Sequence, residues 1–310
     1  MTDGALETVH LHDEAAALEA AFVPRAGMLC CSLRHRGEEL LAQNAGVAAY
    51  ARQGKTMGIP LLYPWANRLA SFDYSVAGRS VRVPHDPSRV HLDANGLPIH
   101  GVIGGWVVWE LTRAPDPDAS SLAASLSWSD SRPELFELFP FRHDLSYGAR
   151  LRDGRLEIEL TVHACGADAV PLSFGFHPYL SPPGASRERW QIELPAMRAL
   201  ALDSKQIPTG PTRELAAERF ELDARELDDG FDTVIEPARF SVAGAGRQIE
   251  LTFLQGYPCA QVFAPAGGQF ICFEPMTAPT NALRSGDGLR VLAPGERFQA
   301  GFSVAVSDSR

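Results

Sequence analysis

With 310 residues and 45% hydrophobic content, the chain can bury a large core and carries no compositional mark of disorder. Its 28 basic residues against 38 acidic ones leave a net charge of −10 and form no basic stripe, which argues against nucleic acid and anionic membrane surfaces as partners. Length alone suggests roughly two domains at about 150 residues each, although all-β sandwiches often reach roughly 200–250 residues as one unit, so length leaves the domain count open.

From the N-terminus, no positively charged segment precedes an apolar run and no stretch approaches about 18 uninterrupted apolar residues, so a soluble, cytoplasmic protein is expected. The Ala-rich stretch Asp13 to Phe22 has helical propensity. Pro24 and Gly27, followed by Met28 to Leu33, favour strand and turn instead. Phe141, His143, Leu145 and Tyr147 share one face opposite Arg142, Asp144 and Ser146. Leu156, Ile158, Leu160 and Val162 likewise alternate with Glu157, Glu159, Thr161 and His163. The one segment with a helix start and composition is Thr212 to Glu221. Phe298, Ala300, Phe302, Val304 and Val306 make a closing strand. The 27 glycines and 23 prolines fall between these runs in short clusters, as many short strands require. The fold class expected is all-β: a large antiparallel sandwich with few short helices.

The five cysteines (Cys30, Cys31, Cys165, Cys259, Cys272) have no C-x-x-C spacing and read as buried thiols in a reducing compartment. No phosphate loop, dinucleotide-binding glycine pattern or zinc-ligand spacing occurs, so no cofactor and no metal are expected.

Four segments combine polar groups with Pro, Gly or aromatic residues beyond what a plain sandwich needs. In Gly58 to Leu69, Pro60 and Pro64 hold the chain extended and deliver Asn67 and Arg68 just after Trp65. Pro98-Ile99-His100-Gly101 and Phe174-Gly175-Phe176-His177-Pro178-Tyr179 each place a histidine at a turn, and Pro178 biases His177 away from the helical region. Cys272-Phe273-Glu274-Pro275-Met276-Thr277 sets a carboxylate between an apolar strand and a Pro-rich loop, where desolvation raises its pKa towards that of a useful base. His143 and His163 read instead as a satisfied core histidine and a solvated one, and Trp65, Trp106 and Trp109 as core rather than ligand-stacking residues.

Asn67-Arg68, His100-Gly101, His177-Pro178-Tyr179 and the Phe-Glu-Pro-Met-Thr run at Glu274, in that order, resemble the aldose 1-epimerase (galactose mutarotase) family. The resemblance spans residues 58 to 283. It implies a supersandwich that forms a single domain over 1–310, with a small-molecule sugar in an open cleft and no cofactor. Exposed edge strands could pair across a two-fold axis, which leaves monomer and homodimer equally open. Carried over by motif, Glu274 takes the proton from the C1 hydroxyl, His177 protonates the ring oxygen and His100 assists there. Arg68 and Asn67 hold hydroxyls. The same carry-over puts Asp228 and Gln261 on the sugar, although Asp229 competes with Asp228. The run after His100-Gly101 is Val102-Ile103-Gly104-Gly105, without the polar residue many relatives carry, which leaves the sugar's identity open. Two other readings remain: a hexose-6-phosphate 1-epimerase, if Arg68, Lys55 and Arg52 converge on one end of the cleft, and a sandwich that binds sugar without turnover.

Overall fold

A computed structural model describes residues 6–115 and 120–308. Two large antiparallel sheets dominate it. The first has nine strands in the order Glu110–Arg113, Ser121–Trp128, His143–Arg152, Arg155–His163, Arg297–Asp308, Arg247–Gln255, Ala238–Gly244, Gln191–Leu194 and Glu218–Glu221. The second has Pro208–Leu215, Met197–Leu202, Leu227–Asp232, Cys259–Ala264, Ile271–Met276, Gly175–Phe176 and Leu61–Leu62 in order, with Tyr179–Leu180 pairing beside Ile271–Met276. A four-stranded sheet (Val9–Asp13, Leu18–Val23, Leu29–His35, Glu38–Glu39) adjoins them.

The period of two explains how the large sheets pack. Leu156, Ile158, Leu160 and Val162 are all buried, and their register partners Val304, Phe302, Ala300 and Phe298 lie on the same inner face. Aromatic pairs join the layers: Phe176 of the second sheet meets Phe302 of the first at 5.0 Å, and Phe240 meets Phe273 at 5.4 Å. Because Phe273 faces inward, its neighbours Cys272 and Glu274 must face the other side of the sheet. That parity is what makes the outer face of the second sheet a place for chemistry.

Several local expectations hold. Asp13 ends one strand and its carboxylate caps the Ala16 N–H at 3.2 Å, before a new strand begins at Leu18. His143 is fully buried, with Nε2 at 2.6 Å from the Tyr63 hydroxyl and Nδ1 at 2.6 Å from the Phe141 carbonyl oxygen. Trp65 and Trp109 are buried in the core and Trp106 packs against it half-buried.

Others are corrected. Thr212 to Glu221 is not helical: Pro208–Leu215 forms the edge of one large sheet and Glu218–Glu221 the edge of the other. The segment crosses between layers with nearly every side chain exposed, so it offers no apolar stripe to seat a helix, and strand pairing with Met197–Leu202 and Gln191–Leu194 overrides propensity. The short helices lie elsewhere, at Val47–Gln53, Pro133–Phe136 and Ala282–Ser285. Cys165 is exposed, since the chain leaves the sheet after His163, while the other four thiols are buried. Among the described residues no helix is long and apolar enough to cross a membrane.

Candidate functional site

Strand register builds the floor of a cleft on the second sheet. Asp228 lies opposite Phe263, Phe263 opposite Cys272, and Cys272 opposite Tyr179, forming one row across four strands. In the next row Gly230 lies opposite Gln261 and Gln261 opposite Glu274. Gly230 keeps this row open, because a Cβ there would sit 3.2 Å from Gln261 Oε1. The same parity decides between the neighbouring aspartates. Asp228 shares the face of Phe263, whereas Asp229 pairs with Val262, whose side chain is buried on the inner side.

Loops supply the walls, and backbone hydrogen bonds stitch them together. His100 N–H donates to the Asn67 carbonyl at 2.8 Å, Leu69 N–H to Pro98 at 2.9 Å and Asn281 N–H to Arg68 at 2.9 Å. The Asn281 side-chain oxygen accepts the Ala70 N–H at 2.9 Å. Asn67, His100 and Asn281 hold φ of 53°, 63° and 70°, a left-handed conformation that a non-glycine residue adopts at a cost of about 1–3 kcal/mol unless its surroundings enforce it. Gly101, at φ 69°, could carry no side chain, for its Cβ would lie 2.2 Å from the Tyr63 carbonyl oxygen.

The resulting cleft encloses about 190 Å³ and is lined by all seven residues singled out in the sequence: Asn67, Arg68, His100, His177, Asp228, Gln261 and Glu274. Its volume is below the roughly 300–1,000 Å³ typical of drug-sized ligands, which suits a single small polar molecule. Sequence reading missed three further lining residues, Ile99, Tyr179 and Phe263, and one residue behind the lining, Asp93. Tyr179 stood within a quoted motif without a role. Asp93 precedes Asn95-Gly96 in a turn signal that reads as structure alone.

At the centre, His177 Nε2 lies 3.3 Å from Glu274 Oε1, and both side chains are at most 4% exposed. Burial, reinforced by the Asp228 carboxylate and only partly offset by Arg68, pushes the Glu274 carboxyl well above the ordinary carboxylate range. Burial lowers the His177 imidazole to about 3, with the Arg68 charge acting in the same direction. His100, whose ring meets that of His177 edge-on at 5.2 Å, is also held well below its usual value, by burial and then by His177 and Arg68. Glu274 Oε2 and the Nδ1 atoms of His100 and His177 are buried without hydrogen-bond partners among the described residues. Such polar atoms are costly to leave unpaired, and all three belong to residues that line the cleft.

Arg68 stands at one end of the cleft already engaged. Its Nε donates to Asp93 Oδ2 at 2.8 Å and one terminal nitrogen to Asn67 Oδ1 at 2.8 Å, while the other lies 3.8 Å from Asp228 Oδ2. Asp228 in turn accepts from Gln261 Nε2 at 2.6 Å. Burial alone would raise the Asp93 carboxyl, but the Leu97 and Asn95 N–H groups together with Arg68 outweigh it and hold it below the usual range. Asp93→Asn should therefore turn an amide N–H towards the guanidinium, cost about 1.5–3 kcal/mol of stability and loosen Arg68. Thermal melts check this. The expected outcome is a lower Tm, and an unchanged Tm would show that Arg68 needs no such brace.

Arg52 and Lys55 are exposed and do not line the cleft. Among the described residues, no group of three or more His, Cys, Asp or Glu side chains is placed to hold a metal ion.

Comparison with known proteins agrees with this architecture. Among curated proteins, the uncharacterised YihR of Escherichia coli K12 is 24% identical over 285 residues, covering 86% of this chain and 88% of its own length. Among solved structures, the Slr1438 protein of Synechocystis superposes with a TM-score of 0.80 at 26% identity, over 100% of this chain and 98% of that one. The galactose 1-epimerase of Lactobacillus acidophilus superposes at 0.74 with 15% identity, over 99% and 100% of the two chains. The GalM/aldose epimerase homologue of C. elegans does so at 0.76 with 16% identity, again over 99% and 100%. Identities this low carry the fold alone for the last two. A family model described as aldose 1-epimerase matches residues 13–305, nearly the whole chain, and the chain belongs to the aldose 1-epimerase family.

Proposed function

We propose that this protein interconverts the α and β anomers of a free, uncharged aldose. The observation that carries the reading is the Glu274–His177 pair: two buried titratable groups 3.3 Å apart whose pKa values are pushed in opposite directions. Anomer exchange needs one group that accepts the C1 hydroxyl proton and one that donates to the ring oxygen. These atoms are close neighbours on a sugar ring, so acid and base must also be close neighbours.

A single proton serves the pair. In the empty cleft the opposed shifts favour the neutral form, with the proton on Glu274 and an uncharged imidazole. The productive form moves that proton across the contact to His177 and leaves Glu274 as carboxylate. Both forms carry the same total charge, so the exchange requires only local stabilisation, which Arg68 and the sugar hydroxyls supply. Glu274 then removes the C1 hydroxyl proton as His177 protonates the ring oxygen and the C1–O bond to that oxygen breaks. Rotation about C1–C2 presents the other face of the aldehyde, and reversal of both transfers closes the ring. His100 offers a ring nitrogen to the same oxygen or its neighbour, and Asn67, Arg68, Asp228 and Gln261 hold hydroxyls.

The engagement of Arg68 by Asp93 and Asp228, with neither Arg52 nor Lys55 in the lining of the cleft, favours a neutral sugar over a hexose 6-phosphate, whose dianion would meet two carboxylates with no second basic residue among the described lining residues. Polarimetric or NMR-monitored equilibration of freshly dissolved α-anomers, free and 6-phosphorylated, tests the proposal in weakly catalysing buffer. Accelerated equilibration of at least one free aldose is expected. A response confined to phosphorylated sugars would transfer the activity to the second substrate class, and no response from either would leave a protein that only binds.

A further inference from the structure

The His177 imidazole is held by rings on several sides, but one of them is itself tethered. The Tyr179 ring lies flat against it, centroids 4.3 Å apart and planes within 2°. Phe263 and His100 meet His177 edge-on at 5.9 and 5.2 Å, and Phe270 abuts the far edge of Tyr179 at 4.9 Å. The Tyr179 hydroxyl lies 3.3 Å from His177 Nε2 and 2.5 Å from Thr56 Oγ1.

The two short contacts are not equivalent. An imidazole nitrogen donates or accepts in the plane of its ring, and parallel stacking places the phenol oxygen above that plane. The hydroxyl therefore leaves the in-plane direction of Nε2 to Glu274 Oε1, and its true partner is Thr56. Thr56 sits in the segment that follows the helix Val47–Gln53, and the stretches on both sides of that helix grip the Tyr179 backbone. Tyr179 N–H donates to the Gly58 carbonyl at 2.9 Å and Ala42 N–H to the Tyr179 carbonyl at 2.9 Å. Asn44 Nδ2 closes the loop onto the Thr56 carbonyl, also at 2.9 Å. Gly58 lets this segment lie close against the chain at Cys30, since a Cβ there would lie 2.3 Å from the Cys30 carbonyl oxygen.

We propose that Thr56, acting through Tyr179, is a positioning residue for His177: the hydroxyl pair pins the phenol ring, and the stacked ring fixes the imidazole plane that aims Nε2 at Glu274 and the sugar ring oxygen. The assignment rests on His177 being the proton donor of the proposed reaction. Neither Thr56 nor the Tyr179 hydroxyl exchanges a proton with substrate. Their effect is on the fraction of time the imidazole is correctly aimed, so it belongs to kcat rather than to sugar binding.

The test is a double-mutant cycle of Thr56→Val and Tyr179→Phe with Thr56→Ser as the conservative variant, read by kcat, KM and nitrogen NMR of the His177 ring in the unligated protein. Each single variant is expected to lose about tenfold in kcat, as misaiming by a fraction of an ångström does, with KM within about twofold. The double variant should be no slower than the singles, because both substitutions break one link, and Thr56→Ser should restore activity. Ring nitrogen signals should show one tautomer in the wild type and exchange between two in the variants. Wild-type kcat in both folded single variants, or losses that multiply in the double variant, would overturn the proposal. If the wild-type protein equilibrates no sugar, the enzymatic reading fails separately, and an unchanged His177 ring spectrum in both variants would then overturn the brace itself.

Discussion

Glu274→Gln is expected to lower turnover by about 10²–10⁴-fold while leaving sugar binding within a few-fold of wild type. The amide keeps the length and volume of the side chain, and with them its place beside His177, but has no carboxylate to accept the C1 proton. Polarimetry at saturating sugar measures the first effect and an equilibrium titration the second. Retention of more than about a tenth of the wild-type rate would place the base elsewhere in the cleft. Stability should move the other way. The folded-state pKa of Glu274 lies above its unfolded value, so the fold binds this proton more tightly than the unfolded chain does. Its contribution is harmless below the ordinary carboxylate range and becomes destabilising as pH rises through the raised folded value. The glutamine variant is free of that effect. Melting curves against pH should therefore show equal or higher Tm for the variant, with the gap widening as pH rises. In the wild type, the raised Glu274 value should appear as the alkaline limb of kcat/KM, because loss of the pair's single proton leaves His177 with nothing to donate, while the acid limb reports a second proton reaching the lowered His177.

His177→Ala should cost a similar factor in turnover, and it also removes a buried ring that stacks on Tyr179, so a lower Tm is expected. Added imidazole separates chemistry from folding. If the role of His177 is proton donation, imidazole should restore part of the activity of His177→Ala beyond the buffer catalysis measured with Glu274→Gln under the same conditions. Absence of such rescue in a folded variant that binds sugar would argue against the assignment. The pH dependence follows from burial. With a folded-state value near 3 against an ordinary 6.5, the neutral imidazole contributes stability that is present above 6.5 and is lost as pH falls towards 3. His143, lowered to about 4 chiefly by burial, acts in the same direction, so the alanine variant should show a weakened but persistent loss of stability in acid.

Much of this molecule was legible in its sequence, for identifiable reasons. The alternation from Leu156 to Val162 could only be a strand with one wet face, and the alternation from Phe298 to Val306 read as its counterpart, because a period of two is a property of backbone geometry that needs no tertiary knowledge. Of the residues that line the cleft, Asn67, Arg68, His100, His177 and Glu274 were found because Pro, Gly and aromatic neighbours marked their segments as more than sandwich and the order of those segments resembled a family, whereas Asp228 and Gln261 came from that resemblance alone. His143 was correctly passed over, since an apolar face with aromatic neighbours is where a satisfied core histidine belongs.

What sequence by itself determined was therefore the local alternation, the all-β class and the chemical types available for acid/base work. Tertiary structure decided everything that depends on which strands meet. Thr212 to Glu221 has helical composition, yet its two halves complete the edges of opposite sheets, because pairing outweighs a propensity of a few tenths of a kcal/mol per residue. Asp228 and Asp229 are equivalent as letters, and register alone turns the first to the cleft and the second away. Sequence left open whether Arg68 joins Arg52 and Lys55 at one end of the cleft; in the fold it is held instead by Asp93, 25 residues on. Thr56 had no signal at all, because its role exists only where the segment after a short helix crosses a tyrosine 123 residues further along the chain. Charge, aim and burial are relations between residues far apart in sequence, and only the folded chain brings those residues within reach of one another.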